Sequence, residues 1–159
     1  MSIGANSGTY SFENIVAGLT SPAATFSIGS DAGAADEGIS YRMTEDKTTT
    51  TTGAGGDIMH SLHASQTGEI MIRILKTSPV NAQFSTLYNV QKGISGLWGS
   101  NTITIQDIVR GDVVTGILMA FIKFPDGGFT KEGPPTQEWG FRGIIDIQLG
   151  TGTPAATAP

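Results

Sequence analysis

The chain has no cysteine among its 159 residues. This absence excludes disulfide bonds, thiolate metal sites and catalysis by a thiol. Charged residues are also scarce, at 14% of the chain, and the formal net charge is −5. A negative balance argues against nonspecific binding to duplex nucleic acid, because such binding needs a positive surface that displaces counterions from the phosphates.

Long apolar runs are missing as well. The longest uncharged apolar stretch, about residues 116–122, is far shorter than the roughly 20 residues that span a bilayer. Residues 1–6 do not show the basic segment followed by an apolar segment that marks a secretory signal. We therefore expect a soluble chain, made in a cytoplasm, without membrane insertion.

Glycine is abundant, with 22 residues, about twice the usual share. Together with the many threonines it favours short strands and tight turns over a helical bundle. The length suits a single domain with a real core. We expect this domain over residues 1–150, with a flexible start at 1–9. The tail at 151–159 has no core residue and is expected to be disordered.

Alternation of apolar and polar residues predicts a mainly β chain. The predicted strands are 10–16, 24–28, 38–44, 69–76, 101–109, 112–124 and 138–150. Segment 112–124 is apolar on both faces, and its two rows are Val114, Leu118 and Ile122, and Val113, Ile117 and Phe121. One helix cannot cover so much apolar area, so part of it is expected to meet other subunits.

Two predicted strands carry an uninterrupted polar face without aromatic residues. These faces consist of Thr102, Thr104 and Gln106 on one strand, and Asp146 and Gln148, beside Arg142, on the other. Such faces suit a surface that stays hydrated and does not adhere to other molecules.

The segment 68–93 joins a strand directly to the only convincing helix. The strand places Ile70, Ile72 and Ile74 on one face. Ser78 is expected to cap the helix, Pro79 suits its first position, and Gly93 ends it. The apolar positions follow helical spacing and are Val80, Phe84, Leu87 and Tyr88.

The other side of this helix carries amides and hydroxyls, with Lys92 as its only charge. A solvated helix face ordinarily carries interspersed Lys and Glu. We therefore interpret this side as a surface that meets another protein. Its candidate docking residues are Asn81, Gln83, Thr86 and Asn89, with Gln91 also placed on this side.

A low-complexity insertion at about 45–57 contains five consecutive threonines and a glycine-rich stretch. Threonine favours extended backbone, whereas the glycines and the lack of apolar anchors argue that the segment cannot order by itself. We predict a projecting loop that folds against a neighbouring subunit. Its candidate contact residues are Glu45, Asp46, Lys47, Thr50, Gly55 and Asp57.

No catalytic, cofactor or metal site emerges from the residues. His60 and His63 could share a metal on one helical turn, but only Asp57 is a further ligand nearby, and a metal site needs three or four. A turn with backbone hydrogen bonds explains them better. Ser61 lacks a nucleophile-elbow pattern. The glycines at 53–56 lack the spacing of a phosphate-binding loop.

The remaining candidates have equally ordinary explanations. The paired acids at 36–37 and 45–46 lack the aromatic-lined cleft of a glycoside hydrolase. Trp98 and Trp139 could stack on sugars, although buried core aromatics are more common.

Several short motifs follow one another in a characteristic order and spacing. They are Tyr10–Phe12, Gly29–Gly38, Met59–Ala64, Leu75–Gln83, Leu97–Gly99, Arg110–Asp112 and the polar lead into Trp139. Taken together they resemble the tail tube proteins of contractile-tailed bacteriophages, over nearly the whole chain.

The resemblance implies an antiparallel β-barrel or sandwich with one flanking α-helix. It also implies hexameric rings of this protein that stack into a hollow inner tail tube, a conduit for DNA delivery during tail contraction. The implied partners are the tail sheath protein, the baseplate and the tail terminator, with the tape measure protein and DNA in the lumen bound without sequence specificity. The implied location is the virion tail, assembled in the bacterial host cytoplasm.

The same resemblance gives the polar features roles. The loop matches the long arm that reaches adjacent subunits. The polar strand faces, Thr102, Thr104, Gln106, Asp146 and Gln148, become candidates for the channel wall, because a basic wall would bind passing phosphates. The helix becomes a docking surface for the sheath or an adjoining protomer.

Four alternatives stay open at this point. The first is the tube of a tail-like bacteriocin or of type VI secretion. The second is a monomeric β-sandwich binding module with Trp98 or Trp139 as a platform. The third is a small hydrolase that uses Asp57, His60 and Ser61. The fourth is another virion component, such as a tail terminator or connector ring.

Overall fold

The computed structural model describes residues 10–22, 24–28, 34–133 and 135–150. The predictions for residues 1–9 and 151–159 concern segments outside this range. Within it, a curled antiparallel half-barrel sheet packs against a single α-helix. The predicted mainly β fold with one flanking helix is therefore confirmed.

Seven of the strands form one sheet. They are β1 (Ile15–Thr20), β2 (Thr25–Ser27), β3 (Ala34–Met43), β6 (Thr67–Leu75), β7 (Asn101–Asp107), β8 (Val113–Phe121) and β9 (Thr136–Gln148). Their spatial order is β2-β1-β7-β8-β9-β6-β3, and every neighbouring pair is antiparallel. Among the described residues, two further strands, β4 (Thr48–Thr52) and β5 (Ile58–Leu62), pair only with each other.

The predicted strand at 10–16 is wrong in its first half. Phe12–Asn14 form a 3-10 turn, and β1 begins only at Ile15. The Ser11 hydroxyl accepts a hydrogen bond from the Glu13 N–H at 3.2 Å. This local side-chain cap offers the backbone an alternative to the extended conformation.

The core lies between one face of the sheet and the helix α1 (Val80–Gly93). The predicted isoleucine row of β6 is fully buried, as are Trp139 and Phe141 on the adjacent strand β9. Phe84 of α1 sits over this surface, with ring centroids 5.3 Å from Trp139 and 5.8 Å from Phe141. The predicted apolar faces of strand and helix thus form one aromatic-rich core.

The helix begins one residue later than predicted, with Pro79 at the cap position, and ends at Gly93 as expected. The prediction that Gln91 lies on the outer face of the helix is wrong, because its side chain is buried. It exchanges two hydrogen bonds with buried Asn101, of 2.7 and 3.0 Å. The sequence did contain the signal, since Gln91 lies four residues after Leu87 and so continues the buried stripe.

A β-bulge in β8 overturns the predicted facing of segment 112–124. The pairing with β9 shifts between Ile117 and Ala120, and Leu118 adopts a φ of +52°. Leu118, predicted in a row with Val114, is 62% exposed, whereas Met119 and Phe121 are buried. One extra residue in a strand exchanges the two faces beyond it.

Candidate assembly surfaces

The five predicted wall residues lie on one face of the sheet, the face opposite the core. Register places Thr104 beside Thr115 of β8, and Thr115 beside Asp146. The next row is Gln106, Val113 and Gln148, and Thr102 lies opposite Thr20 of β1. The structure therefore brings both predicted polar strands together through β8. Their role as a channel wall stays a prediction.

The projecting segment is a β-hairpin, which we call the arm (residues 48–62). Gly53 N–H donates to the Asp57 carbonyl at 2.7 Å, and Gly56 takes a φ of +90° to close the turn. The predicted bounds of 45–57 are therefore wrong at the C-terminal side, because Ile58–Leu62 form the second strand. Of the predicted contact residues, Thr50 lies on β4, Gly55 and Asp57 lie in the turn, and Glu45, Asp46 and Lys47 precede the arm.

Almost no residue of the arm is covered by the rest of the domain. Every residue from 48 to 62 except Ser61 is exposed. Ile58, Met59 and Leu62, which follow the predicted loop, are 62%, 60% and 80% exposed. A two-stranded hairpin alone is marginally stable in water. These apolar side chains are therefore available to a partner surface.

The histidines lie on or next to this arm and not on a helical turn. His60 Nδ1 hydrogen-bonds the Thr50 hydroxyl at 2.9 Å, and His63 hydrogen-bonds Thr49. His60 and Ser61 are consecutive strand residues and point to opposite faces, so they cannot act as base and nucleophile. Within the described ranges, no group of three or more His, Cys, Asp or Glu side chains could hold a metal ion.

The two tryptophans differ in burial. Trp139 is fully buried and donates its indole N–H to Asn81 at 3.0 Å. Trp98 meets Tyr88 edge to face, with centroids 5.8 Å apart. Trp139 therefore offers no platform for a sugar, whereas Trp98 is 39% exposed and its role as a platform stays a prediction.

The outer side of α1 divides into two parts. Gln83, Thr86 and Asn89 are exposed. Asn81 instead bonds internally, because it accepts from Trp139 and donates to the Leu75 carbonyl at 2.8 Å. Beside the helix lies an open depression of about 450 Å³, whose uncharged lining is Ala24, Thr25, Ala82, Gln83, Thr86, Leu87 and Val90.

One charged cluster escaped the sequence reasoning. Glu69 of β6 lies between Arg42 of β3 and Arg142 of β9 in a single row across three strands. We call these three residues the Glu69 clamp. Hydrogen bonds from Arg142 and then Arg42 lower the pKa of the Glu69 carboxyl below its ordinary value of 4.5, and they outweigh burial, which raises it.

A family model described as "Bacteriophage PhiTE tail tube protein" matches residues 7–150. This match covers most of the chain. The chain belongs to this family of tail tube proteins. The family supports a structural role in a tail tube, and it agrees with the resemblance found in the sequence. Among curated proteins, no sequence matches significantly.

Solved structures share the fold of this tail tube protein at low sequence identity. The tail of an empty GTA particle, with C6 symmetry, has a TM-score of 0.56 and 13% identity, covering 90% of this chain and 100% of that one. The extended sheath-tube complex of the extracellular contractile injection system PVC has a TM-score of 0.53 and 13% identity, with coverages of 85% and 88%. The cap that terminates the anti-feeding prophage tube has 0.53 and 12%, with coverages of 94% and 100%.

None of the helices in the described ranges is both long and apolar enough to cross a membrane. The tail tube protein has three surface features described above: the arm, the polar sheet face and the outer side of α1.

Proposed function

We propose that this tail tube protein forms hexameric rings that stack into the inner tube of a contractile tail. The tube would conduct DNA during contraction, inside the sheath and between baseplate and tail terminator, with the tape measure protein in its lumen. The family membership supports the tube, and the C6 symmetry of the structurally similar GTA tail supports the number six. Assembly would take place in the bacterial host cytoplasm.

The arm is the observation that carries this proposal. An uncovered hairpin with three exposed apolar side chains costs conformational entropy to order and gains little on an isolated subunit. Seated on a neighbouring subunit, the same residues would lose their apolar surface to the interface, which is favourable by about 25 cal/mol per Å². We assign the arm to contacts between subunits.

The experiment is electron microscopy of the purified protein. Stacked rings with a central hole are expected, and a dispersed monomer at high concentration would refute the proposal. Within the same experiment, Ile58→Thr combined with Leu62→Thr keeps strand propensity but removes apolar area from one face of the arm. This variant is expected to lose the stacked rings.

Val16→Thr is the matched control for the arm variant. Val16 is an apolar strand residue that is 53% exposed, but it lies on the sheet face opposite the core and outside the arm. It should assemble normally. If the arm variant formed stacked rings at wild-type yield, the arm would have no role in assembly.

We assign the polar sheet face to the channel wall. The rows that contain Thr104 and Gln106 expose hydroxyls and amides, with Asp146 as a negative charge. Such a wall repels phosphates or does not bind them. Asp146→Lys is expected to reduce DNA ejection and infectivity, whereas Glu132→Lys, the same change in an exposed loop, is not. Unchanged ejection from the Asp146 variant would contradict the assignment.

We assign Gln83, Thr86 and Asn89 of α1 to contact with the sheath, beside the open depression described above. Gln83→Glu combined with Asn89→Glu adds two charges to an uncharged surface. Tubes of this variant should form alone but should bind sheath protein poorly. Normal sheath assembly would mean that the helix only supports the fold.

A further inference from the structure

The Glu69 clamp is an unusually complete ion cluster for a strand row. The Nε and Nη2 atoms of Arg42 donate to one carboxylate oxygen at 2.9 and 2.7 Å. The same two atoms of Arg142 donate to the other oxygen at 3.1 and 2.5 Å. Each oxygen of Glu69 thus accepts two hydrogen bonds, and the Nε–Nη2 edge of each guanidinium is occupied.

The burial of the three side chains is unequal. The Glu69 side chain is 7% exposed, whereas those of Arg42 and Arg142 are 72% and 55% exposed. Two arginines therefore lie at the surface, held flat against the sheet by one carboxylate beneath them. Without that carboxylate, two adjacent forks would point outward, and this planar fork is the geometry that binds phosphate oxygens in pairs.

The clamp lies on the same sheet face as the predicted channel wall. Arg142 and Asp146 alternate on the same side of β9, which places them about 13 Å apart along the strand. An open depression of about 410 Å³ lies over the clamp, lined by Arg42, Met43, Thr44, Glu45, Thr67, Glu69 and Arg142. A phosphate group would fit this space, next to both arginines.

We propose that Glu69 is a positioning residue that occupies the Nε–Nη2 edge of both arginines and offsets part of their charge, so that a passing polyphosphate strand binds them only weakly. The clamp is then a latent phosphate site whose two side-on edges an internal carboxylate holds occupied. This inference rests on the proposed channel function. It explains why a wall that DNA must slide past contains arginines: they join β3, β6 and β9 through Glu69, which withdraws their Nε–Nη2 edges from the cargo.

The test is binding of a short fluorescent single-stranded oligonucleotide, followed by anisotropy across a salt series. Glu69→Gln keeps the shape but leaves the two forks without a carboxylate. It is expected to bind at least about tenfold more tightly than wild type at low salt. Two newly engaged phosphates would steepen the logarithmic salt slope by roughly 1.4.

Glu138→Gln is the matched control. Glu138 pairs with Arg73 on the same two strands, β6 and β9, with a hydrogen bond of 2.8 Å, and both side chains are about 40% exposed. The charge change is identical, but only one arginine is affected. Equal gains from Glu69→Gln and Glu138→Gln would show an effect of net charge alone and would overturn the clamp.

Two further variants keep the test decisive. Replacing Arg42 and Arg142 by Gln in the Glu69→Gln background should return binding to the wild-type level. If Glu69→Gln does not fold, Glu69→Asp decides, because it keeps the charge but is one methylene too short to hold both forks. Wild-type binding from Glu69→Asp would then refute the proposal. The assay works on dispersed subunits, so its outcome is separate from whether rings and tubes form.

Discussion

The buried amide pair Gln91–Asn101 offers a sharp test of the packing between helix and sheet. Gln91→Leu removes both reciprocal hydrogen bonds and leaves the Asn101 Oδ1 without the donor that now lies 2.7 Å away. Asn101 Nδ2 keeps only its bond to the Met119 carbonyl, at 3.0 Å. Asn101 is 0% exposed, so water cannot replace the lost partner.

The expected cost follows from this geometry. An unsatisfied buried polar group costs about 1–3 kcal/mol, and the apolar area of the new leucine offsets part of it. We expect a net loss of about 1–2 kcal/mol. For a chain of this size that lowers Tm by roughly 3–6 °C. Asn89→Leu, an exposed amide on the same helix, should stay within about 0.5 kcal/mol of wild type.

Thermal and urea unfolding of dispersed subunits measure the effect. The double variant Gln91→Leu with Asn101→Leu removes both amides, and it should recover about 1 kcal/mol relative to the sum of the single changes. A Gln91→Leu variant as stable as wild type, with purely additive behaviour in the double variant, would refute the structural role given to this pair.

Three other predictions concern the β8 bulge and the Glu69 clamp. Gly143→Ala should lower the free energy of unfolding by about 1–3 kcal/mol, because a Cβ there would lie 2.6 Å from the Leu118 carbonyl oxygen. Gly140→Ala, the control, should cost less, because its Cβ meets only flexible side chains at 3.0 Å or more. Equal urea midpoints for the two variants would contradict this. Leu118→Asn should leave the dispersed subunit as stable as wild type or slightly more stable, since Asn tolerates positive φ. The same variant should form fewer rings in electron microscopy. If ring assembly were unimpaired, Leu118 would have no role in contacts between subunits. The Glu69→Gln variant should be less stable than wild type near neutral pH, and this difference in stability should shrink as the pH falls below 4.5. The reason is that the pKa of Glu69 is lowered in the folded state, so that protonation in acid removes the stabilisation. A stability difference that grows in acid would be inconsistent with this.

Periodicity predicted the core elements well, because it reflects local geometry. Ile70, Ile72 and Ile74 recur at every second position, and Val80, Phe84 and Leu87 follow a helical stripe. Such patterns depend only on how side chains project from a strand or a helix. Gln91 lies on the same stripe, but its polarity favours the outer face when only the sequence is considered.

The arm and the bulge show where local patterns fail. Five threonines predicted extended backbone correctly, but the partner strand Ile58–Leu62 looked like a separate histidine-containing turn. In segment 112–124, nothing local distinguishes a regular strand from one with an extra residue at Leu118. Both features depend on which strand pairs with the segment, and the backbone hydrogen bonds of that pairing do not depend on side-chain identity.

From the sequence alone, this protein was determined to be a mainly β chain with one helix, without thiol chemistry, resembling tail tube proteins. Only the tertiary structure decided that Arg42, Glu69 and Arg142 meet in one row, and that Thr104, Thr115 and Asp146 share another. The physical reason is strand register. Pairing β3, β6 and β9 joins residues far apart in the chain, and a shift of one position would have sent each charge to the opposite face.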